Sequence, residues 1–365
     1  MRRDFWRNFD FLLFGSVIIL CVFGIAMIHS AIAGSPEITG SEQRQAIFVG
    51  AGLVLILVVA LIDYHYWASL TRIMYIGSLL LLLVIFIIGQ ARFGSARWLD
   101  TGLILIQPAE LVKIVMILVL ADFFSHHIGE VYDLRWVALS FLLTIGLVVW
   151  ILLQPNLSTS IVIFVLWFSM LWMSGLPPKY LLLFTVLGLL AAIVAFPFLE
   201  EYQQLRVINF LFPDPTARHG NSYNVDQALI TIGSGGWFGQ GYGHSTQVQL
   251  RFLKVRHTDF IFSAMASEFG FIGTVLVIAL LVFVILRCFR AARLAADPFG
   301  GLIAHGVATL LFFQTIVNIG VNLNVIPVTG LTLPFISYGG SSLVSLFLGI
   351  GLVESVIARH KPLSF

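Results

Sequence analysis

Acidic residues set in apolar sequence are the first groups in this chain whose type and spacing could do chemistry. Asp259 lies in RHTDFIFSAMASEFGFIG, where a polar stretch gives way to a long apolar run. Glu268 follows nine residues later, about 13 Å along a helix. A carboxylate within reach of a hydroxyl can take its proton as a general base, and an acid inside a membrane segment is costly enough to suggest function by default. Glu110 and Lys113, in QPAELVK, are three apart and share a helical face, where they can pair. Pro108 suits the first helical position there and Glu110 the third, against free N–H groups. QPNLSTS opens another apolar run, with Pro155 in the same role as Pro108 and small polar side chains behind it. In LTLPFISYGGSS, Gly339 and Gly340 would let backbone approach a ligand closely. Arg97, Lys113, Arg206, Arg251, Lys254 and Arg256 are the cations available to an anion in this region.

Each of these groups also has a plainer reading. Asp259 or Thr258 could cap a helix. Glu110 with Lys113 could be a structural ion pair, and Glu268 could serve only packing. Asn318 and Asn322, four apart, read as interhelical glue. Cys21 and Cys288 lie in apolar runs and suggest neither a disulfide nor a metal pair. The chain has no P-loop and no dinucleotide fingerprint, and GSGGWFGQG has no strand before it. The adjacent His126 and His127 are poorly arranged for a metal.

The elements that must position these groups follow from composition. Of 365 residues, 59% are hydrophobic and 10% charged, against about 25% charged in a soluble globular protein. Mean hydropathy is +0.99. A soluble enzyme, a disordered chain and a nucleic-acid binder are excluded. About 20 apolar residues cross a bilayer as a helix, and ten such runs are present: 10–33, 45–62, 68–89, 107–125, 135–153, 157–174, 177–198, 260–287, 301–323 and 338–357. Alternating strands are absent, so the expected fold is all-α, a polytopic membrane bundle of about ten transmembrane helices. The first run has no small-residue cleavage site and reads as a retained anchor.

Arg2, Arg3 and Arg7 precede the first run, Arg287, Arg290 and Arg293 follow the eighth, and Arg359 and Lys361 close the chain. With ten spans all of these fall on one side, the cytoplasmic one by the positive-inside rule. Both termini are then inside, and nearly every polar cluster named above falls at the outer mouth. The long segment 199–259 lies outside, between spans seven and eight. Its start, FLEEYQQLRVINFLF, suits a membrane interface, and its glycine-rich end should be compact and irregular. The chain reads as one domain, 1–365, with a large extracytoplasmic loop.

An enzyme acting outside has no ATP, so its substrate must carry its own activation. A lipid diphosphate sugar does, and its anionic leaving group calls for cations or a metal. A transporter with outer polar sites fits the residue pattern nearly as well.

QPAELVK, QPNLSTS, GSGGWFGQGYG, RHTDFIFS and TLPFISYGGSS stand in the order seen in the SEDS family (shape, elongation, division and sporulation proteins). The chain resembles that family, in its RodA and FtsW branches, along nearly its whole length. The resemblance implies a peptidoglycan glycosyltransferase that polymerises lipid II on the outer face of the bacterial cytoplasmic membrane. The implied partner is a class B penicillin-binding protein, which crosslinks the glycan. By the same resemblance Asp259 is the catalytic residue. Arg97, Trp98, Gln107, Glu110, Lys113, Asn156, Arg206, Arg256, His257, Glu268, Ser337, Gly339, Gly340 and Ser341 are implied to line the substrate region. No resident cofactor is implied, and a divalent cation such as Mg or Mn could assist the leaving group.

The chain departs from the family pattern at three points. Asn156 and Ser158 replace an acid and a glycine, and an amide cannot act as a base. The acidic pair usual in span eight is reduced to Ser267 and Glu268. Lys254 stands near a common proline. NIGVN and GLTLP lean toward the FtsW branch, PVTG and the short termini toward RodA, which is slightly favoured. The competing readings are a flippase for the same lipid-linked precursor and a non-catalytic scaffold for the crosslinking partner.

Overall fold

A computed structural model describes residues 2–33, 40–88, 90–92, 95–100, 105–128, 133–213 and 221–360. Its helices run α1 (Arg2–Asn8), α2 (Phe11–Ile32), α3 (Ser41–Leu61), α4 (Tyr64–Ile88), α5 (Pro108–His126), α6 (Leu134–Leu153) and α7 (Leu157–Met173). They continue with α8 (Pro178–Ala195), α9 (Glu201–Leu211), α10 (Asn221–Ser234), α11 (Thr246–Gln249), α12 (Ile261–Leu294), α13 (Pro298–Asn322) and α14 (Gly340–Ala358). A helix overlaps each of the ten apolar runs. Among the described residues eight are long and apolar enough to cross a membrane; α5 carries Glu110, Lys113 and Asp122, and α7 has only 17 residues. The fold is a helical bundle of the multi-pass membrane type.

Three features differ from the sequence expectation. Between α4 and α5 the backbone forms a small antiparallel ribbon of β1 (Gln90–Arg92), β2 (Ser95–Asp100) and β3 (Leu105–Ile106), with Gln90 opposite Trp98 and Leu99 opposite Ile106. These strands are too short to show an alternating pattern. The segment 199–259 contains α9, α10 and α11, and α9 is closed by a reciprocal capping box between Glu200 and Gln203. The eighth run continues as helix to Leu294, so Arg287, Arg290 and Arg293 ride on the end of α12 rather than following it.

The two ends of the bundle are fixed by polar contacts. At one end Asp10, Asp133 and Asp297 cap α2, α6 and α13, accepting the N–H groups of Leu13, Arg135 and Gly300 at 2.9–3.0 Å. Asp10 also binds Arg287, at 2.7 Å from Nε and 2.5 Å from Nη2. Its backbone N–H donates to Glu354 at 3.0 Å. Asp297 accepts from the Tyr64 hydroxyl, joining α13 to α4. At the opposite end α3, α5, α12 and α14 begin after Gly40, Gln107, Phe260 and Gly339, none of which provides a side-chain cap. Between the ends, α13 and α14 form the centre. Their apolar windows are 72% and 83% buried, while none of the window in α8 is buried.

The 34 residues of α12 would span about 51 Å as a straight helix, well beyond the ~30 Å hydrocarbon layer. The helix is broken at Gly270, at φ 67° and ψ −169°. The N–H groups of Phe271 and Ile272 leave the helical ladder and donate to Gly236 and Trp237 at 2.8 and 3.2 Å. The carbonyls of Ser267 and Glu268 in turn accept from Gln240 and Gly241 at 2.9 and 3.0 Å. The glycine-rich loop thus satisfies the groups that the break releases.

Candidate functional site

Five segments meet at the end opposite the three aspartate caps. The N–H of Gln107, before α5, donates to the Ser341 hydroxyl at the start of α14 at 2.9 Å. Ser158, at the start of α7, donates to the Thr329 carbonyl at 2.5 Å. Tyr338 N–H donates to the His257 carbonyl at 3.0 Å, and the Ser337 hydroxyl to the Thr258 carbonyl at 2.8 Å. Gln45 of α3 donates to the Ser337 carbonyl at 3.2 Å. These bonds bring QPAELVK, QPNLSTS, RHTDFIFS and TLPFISYGGSS, far apart in the chain, to one mouth.

Asp259 stands at its centre, one residue before the Phe260 position that precedes α12. It is not the cap. The free N–H of Ser263, in the first turn, is taken by Asn322 Oδ1 at 3.1 Å, and the Ser263 hydroxyl donates to the same oxygen at 2.7 Å. The Asn322 and Asn318 amides both donate to the backbone carbonyl of Asp259, at 2.9 and 3.2 Å. The Asn318 amide also donates to the Leu331 carbonyl at 2.8 Å. The two asparagines therefore hold the backbone of Asp259, and its carboxylate is left to Thr258 and the charge of Arg206, with Gly330 beside it. Desolvation pushes the Asp259 pKa up to about 6, against the opposing pull of Arg206 and a hydrogen bond with Thr258. At neutral pH it is an ionised carboxylate of unusually high proton affinity, suited to general-base work.

Arg206 is carried by α9. Its Nη1 reaches the Val328 and Thr329 carbonyls at 3.4 Å, placing the guanidinium beside the turn that faces Asp259. Gly330 lies close enough that a Cβ there would sit 3.8 Å from Asp259 Oδ2. Arg251 and Lys254, in the segment that leads to Asp259, are exposed. The first turn of α5 carries Glu110 and that of α12 is met by Asn322, whereas α14 begins after Gly339 with no side-chain cap, so its N–H groups favour negative charge at the mouth.

The remaining expected residues fall into distinct places. Glu110 and Lys113 are buried and paired at 2.6 Å, with the Glu110 carbonyl also held by the Ser345 hydroxyl at 2.8 Å. Asn156 caps α7, accepting the Thr159 N–H at 3.3 Å; Pro155 therefore precedes the cap and does not occupy the first helical position. Arg256 is buried and donates through Nε to the Ala31 carbonyl at the end of α2, which turns it away from a ligand. Burial and the Arg256 charge hold the His257 pKa down at about 4, so its ring is neutral. Glu268 is buried and accepts from the Ser30 hydroxyl beside the Gly270 break, well below Asp259. Gly340 does permit a close approach, but to the Phe48 ring, 2.6 Å from where its Cβ would lie. Gly339 precedes α14 in extended backbone. Arg97 and Trp98 lie in β2, whose side chains are outside the described residues. Sequence reasoning did not foresee that Asn318 and Asn322 hold Asp259; their i, i+4 spacing was the available signal.

Among the described residues no group of three His, Cys, Asp or Glu could hold a metal ion. The donors around Asp259 therefore do not fit a metal held by the protein alone.

The family model for cell cycle proteins of the FtsW, RodA and SpoVE type matches residues 10–362. The chain belongs to this family. It is the SEDS family whose motifs appear in the sequence. A probable peptidoglycan glycosyltransferase FtsW from Hydrogenovibrio crunogenus is 37% identical over 371 residues, covering 97% of this chain and 94% of that protein. The peptidoglycan glycosyltransferase MrdB of Escherichia coli K12 is 33% identical over 368 residues, covering 100% and 98%. Among solved structures, a chain from a peptidoglycan synthase complex, studied for its coordination of polymerization and crosslinking, superposes with a TM-score of 0.82 at 33% identity, over 96% of this chain and 97% of that one. The crystal structure of the rod shape determining protein RodA from Thermus thermophilus gives 0.72 at 32% identity, over 97% and 98%. Members of the family thus share this bundle along its full length.

Proposed function

We propose that this chain, a peptidoglycan glycosyltransferase, polymerises lipid II at the outer face of the bacterial cytoplasmic membrane with Asp259 as general base. The observation that carries this reading is the Asp259 carboxylate itself, released from capping by Asn322 and raised to a pKa of about 6. Asp259 takes the proton from the 4-hydroxyl of the lipid II N-acetylglucosamine. That oxygen forms a bond to the anomeric carbon of the growing chain's lipid-linked muramic sugar. The bond from that carbon to the diphosphate breaks, its electron pair leaves with the polyprenyl diphosphate, and the anomeric configuration inverts. Arg206, Arg251 and Lys254, with the N-terminus of α14, stabilise the departing anion. Lys113 is engaged by Glu110 and Arg256 by Ala31, so both act in holding the mouth together.

The chain acts as one membrane domain with both termini in the cytoplasm, and its product passes to a class B penicillin-binding protein for crosslinking. The full-length likeness to a chain of a peptidoglycan synthase complex supports that pairing. FtsW and MrdB relatives match at 37% and 33% identity, so these comparisons do not separate a division role from the elongation role that the PVTG motif favours.

The test is polymerisation of labelled lipid II by the purified chain with its cognate partner, whose crosslinking site is blocked. Wild type is compared with Asp259→Ala and Asp259→Asn, with divalent cation supplied and then chelated. Glycan from wild type and none from the folded variants supports the reading. Normal polymerisation by the variants removes Asp259 from the chemistry. Flipping of lipid II in vesicles without any polymerisation by wild type replaces the enzyme with a transporter.

A further inference from the structure

Two polar ties join α2 to α12 at different heights. At one end Asp10 binds Arg287, and toward the other the Ser30 hydroxyl donates to Glu268. Ser30 lies twenty residues beyond Asp10, and Glu268 lies nineteen before Arg287, which is about 30 Å along either helix. Neither helix carries an Asp, Glu, Lys or Arg between the ties. The hydrocarbon of a bilayer is also about 30 Å thick, so the two ties mark its two boundaries.

The glycine-rich loop lies at the second boundary. Its residues 236–241 bond to 267–272 of α12, and the Tyr242 hydroxyl donates to the Ala26 carbonyl of α2 at 2.8 Å. Ala26 is sixteen residues beyond Asp10, about 24 Å along α2. Irregular chain can lie at such a depth only if its main-chain groups are paired. Here Gln240 and Gly241 donate to α12, the Gly236 and Trp237 carbonyls accept from it, and the Gly239 N–H donates to Gly235 at 2.8 Å.

The side chains of the loop suit lipid. From Gln227 to Leu250 twenty-four residues pass without an Asp, Glu, Lys or Arg, where a water-exposed stretch at about 25% charge would carry about six. Trp237 and Phe238 are 67% and 82% exposed, and the Trp237 ring stands edge-on to exposed Phe271 at 5.2 Å between centroids. Ile272, Val275 and Leu276 continue this exposed apolar face down α12. Tryptophan and tyrosine at this level are the mark of the membrane interface.

We propose that the segment from Leu229 to Gly243 is re-entrant: it dips into the leaflet at the Asp259 end and sets Trp237, Phe238 and Phe271 against the lipid chains just below the headgroups. The break at Gly270 is what admits it, because the main-chain groups freed there pair with the loop. Asp259, nine residues before Glu268, then stands about 13 Å further out, at the outer edge of the headgroup layer.

The test places nitroxide labels on the full-length chain in nanodiscs of phosphatidylcholine and phosphatidylglycerol. In a Cys21→Ala/Cys288→Ala background single labels go on Phe238→Cys, on Asp226→Cys as the exposed polar reference and on Val282→Cys as the lipid-facing one. Collision with oxygen, which concentrates in lipid, is compared with collision with a water-soluble nickel chelate. The oxygen-to-nickel ratio at Phe238→Cys should exceed that at Asp226→Cys by about fivefold, toward the lipid limit set by Val282→Cys. Where the cysteine variants do not fold, quenching of the native tryptophans by lipids brominated near the headgroup carries the test, and Trp237→Phe should remove about one tryptophan's share of it. Equal ratios at Phe238→Cys and Asp226→Cys, or quenching untouched by Trp237→Phe, put the loop in water and overturn the proposal. A label open to nickel in the lone chain and shielded only when the crosslinking partner is added makes the patch a protein contact, and also overturns it.

Discussion

Asp10 and Asp259 sit at opposite ends of the same bundle, each immediately before or beside the start of a long helix, and they are used in opposite ways. Asp10 has both carboxylate oxygens engaged, one by the Leu13 N–H and one by Arg287. Asp259 is held by its backbone carbonyl, through Asn318 and Asn322, while its carboxylate takes no part in closing α12. The contrast extends to the ends as a whole. Aspartates cap α2, α6 and α13 at the Asp10 end, and no acid caps α3, α5, α12 or α14 at the Asp259 end. An acid that builds structure has its oxygens filled. The acid proposed for chemistry has another residue do the capping.

The sharpest way to break this comparison is to remove each acid in turn. Asp259→Asn should lower lipid II polymerisation by about 10²–10⁴-fold while the protein melts as wild type does. Asp10→Ala should do the reverse. It leaves Arg287 without its partner in a largely buried position, at a cost of about 3–5 kcal/mol, yet the polymerisation rate per folded molecule should hold. If Asp10→Ala abolishes synthesis in folded protein, the division of labour between the ends is lost.

Glu110→Ala leaves Lys113 charged and buried, and should destabilise by a similar ~3–5 kcal/mol in thermal melts. Glu110→Leu combined with Lys113→Met should recover much of that loss if the pair is structural. A double variant that is stable but inactive would move the pair into the chemistry.

Asn322→Ala removes the Ser263 cap and one support of the Asp259 carbonyl. Loss of the cap alone is worth about 1 kcal/mol. A fall in kcat of roughly tenfold with KM unchanged would show that Asn322 positions the base. A fall in stability alone would make it the interhelical glue that its spacing first suggests.

The acid limb of the pH profile comes next. With the Asp259 pKa at about 6, polymerisation should decline as pH falls through 6, because protonation removes the base. Arg206 favours the ionised form, so Arg206→Gln should move that limb to higher pH. A limb that stays in place would separate Arg206 from the base. Least affected should be Asn156→Asp, which can still accept the Thr159 N–H, with polymerisation within about twofold of wild type.

The long apolar runs were legible because hydrophobicity over about 20 residues is a strong signal. Asp259 was legible from its place in RHTDFIFS, where the long polar segment enters an apolar run. The ribbon at Gln90–Ile106 was not, since strands of two to six residues carry too little pattern. The role of Asn156 was readable only as an absence of charge, and the structure supplies the positive account, a cap. Arg256 and Gly340 were placed at the right mouth, but which way a side chain turns depends on partners distant in sequence, here Ala31 and Phe48. The Gly270 break was hidden because FGFIG continues an apolar run.

That break joins two stretches of chain chiefly through main-chain groups, with the Trp237 ring set edge-on to Phe271 beside them. The four bonds between 236–241 and 267–272 ask nothing of most side chains, so residues along the joint can drift with little penalty. Four glycines, Gly236, Gly239, Gly241 and Gly270, lack this freedom because their φ is positive, and at two of them space is also missing. A Cβ at Gly239 would lie 2.1 Å from the Glu268 carbonyl oxygen, and one at Gly270 would lie 2.3 Å from the Gly239 nitrogen. Register is fixed as strictly as the glycines. One residue inserted or deleted on either side offsets every donor from its acceptor, so the loop and the upper part of α12 can change length only together.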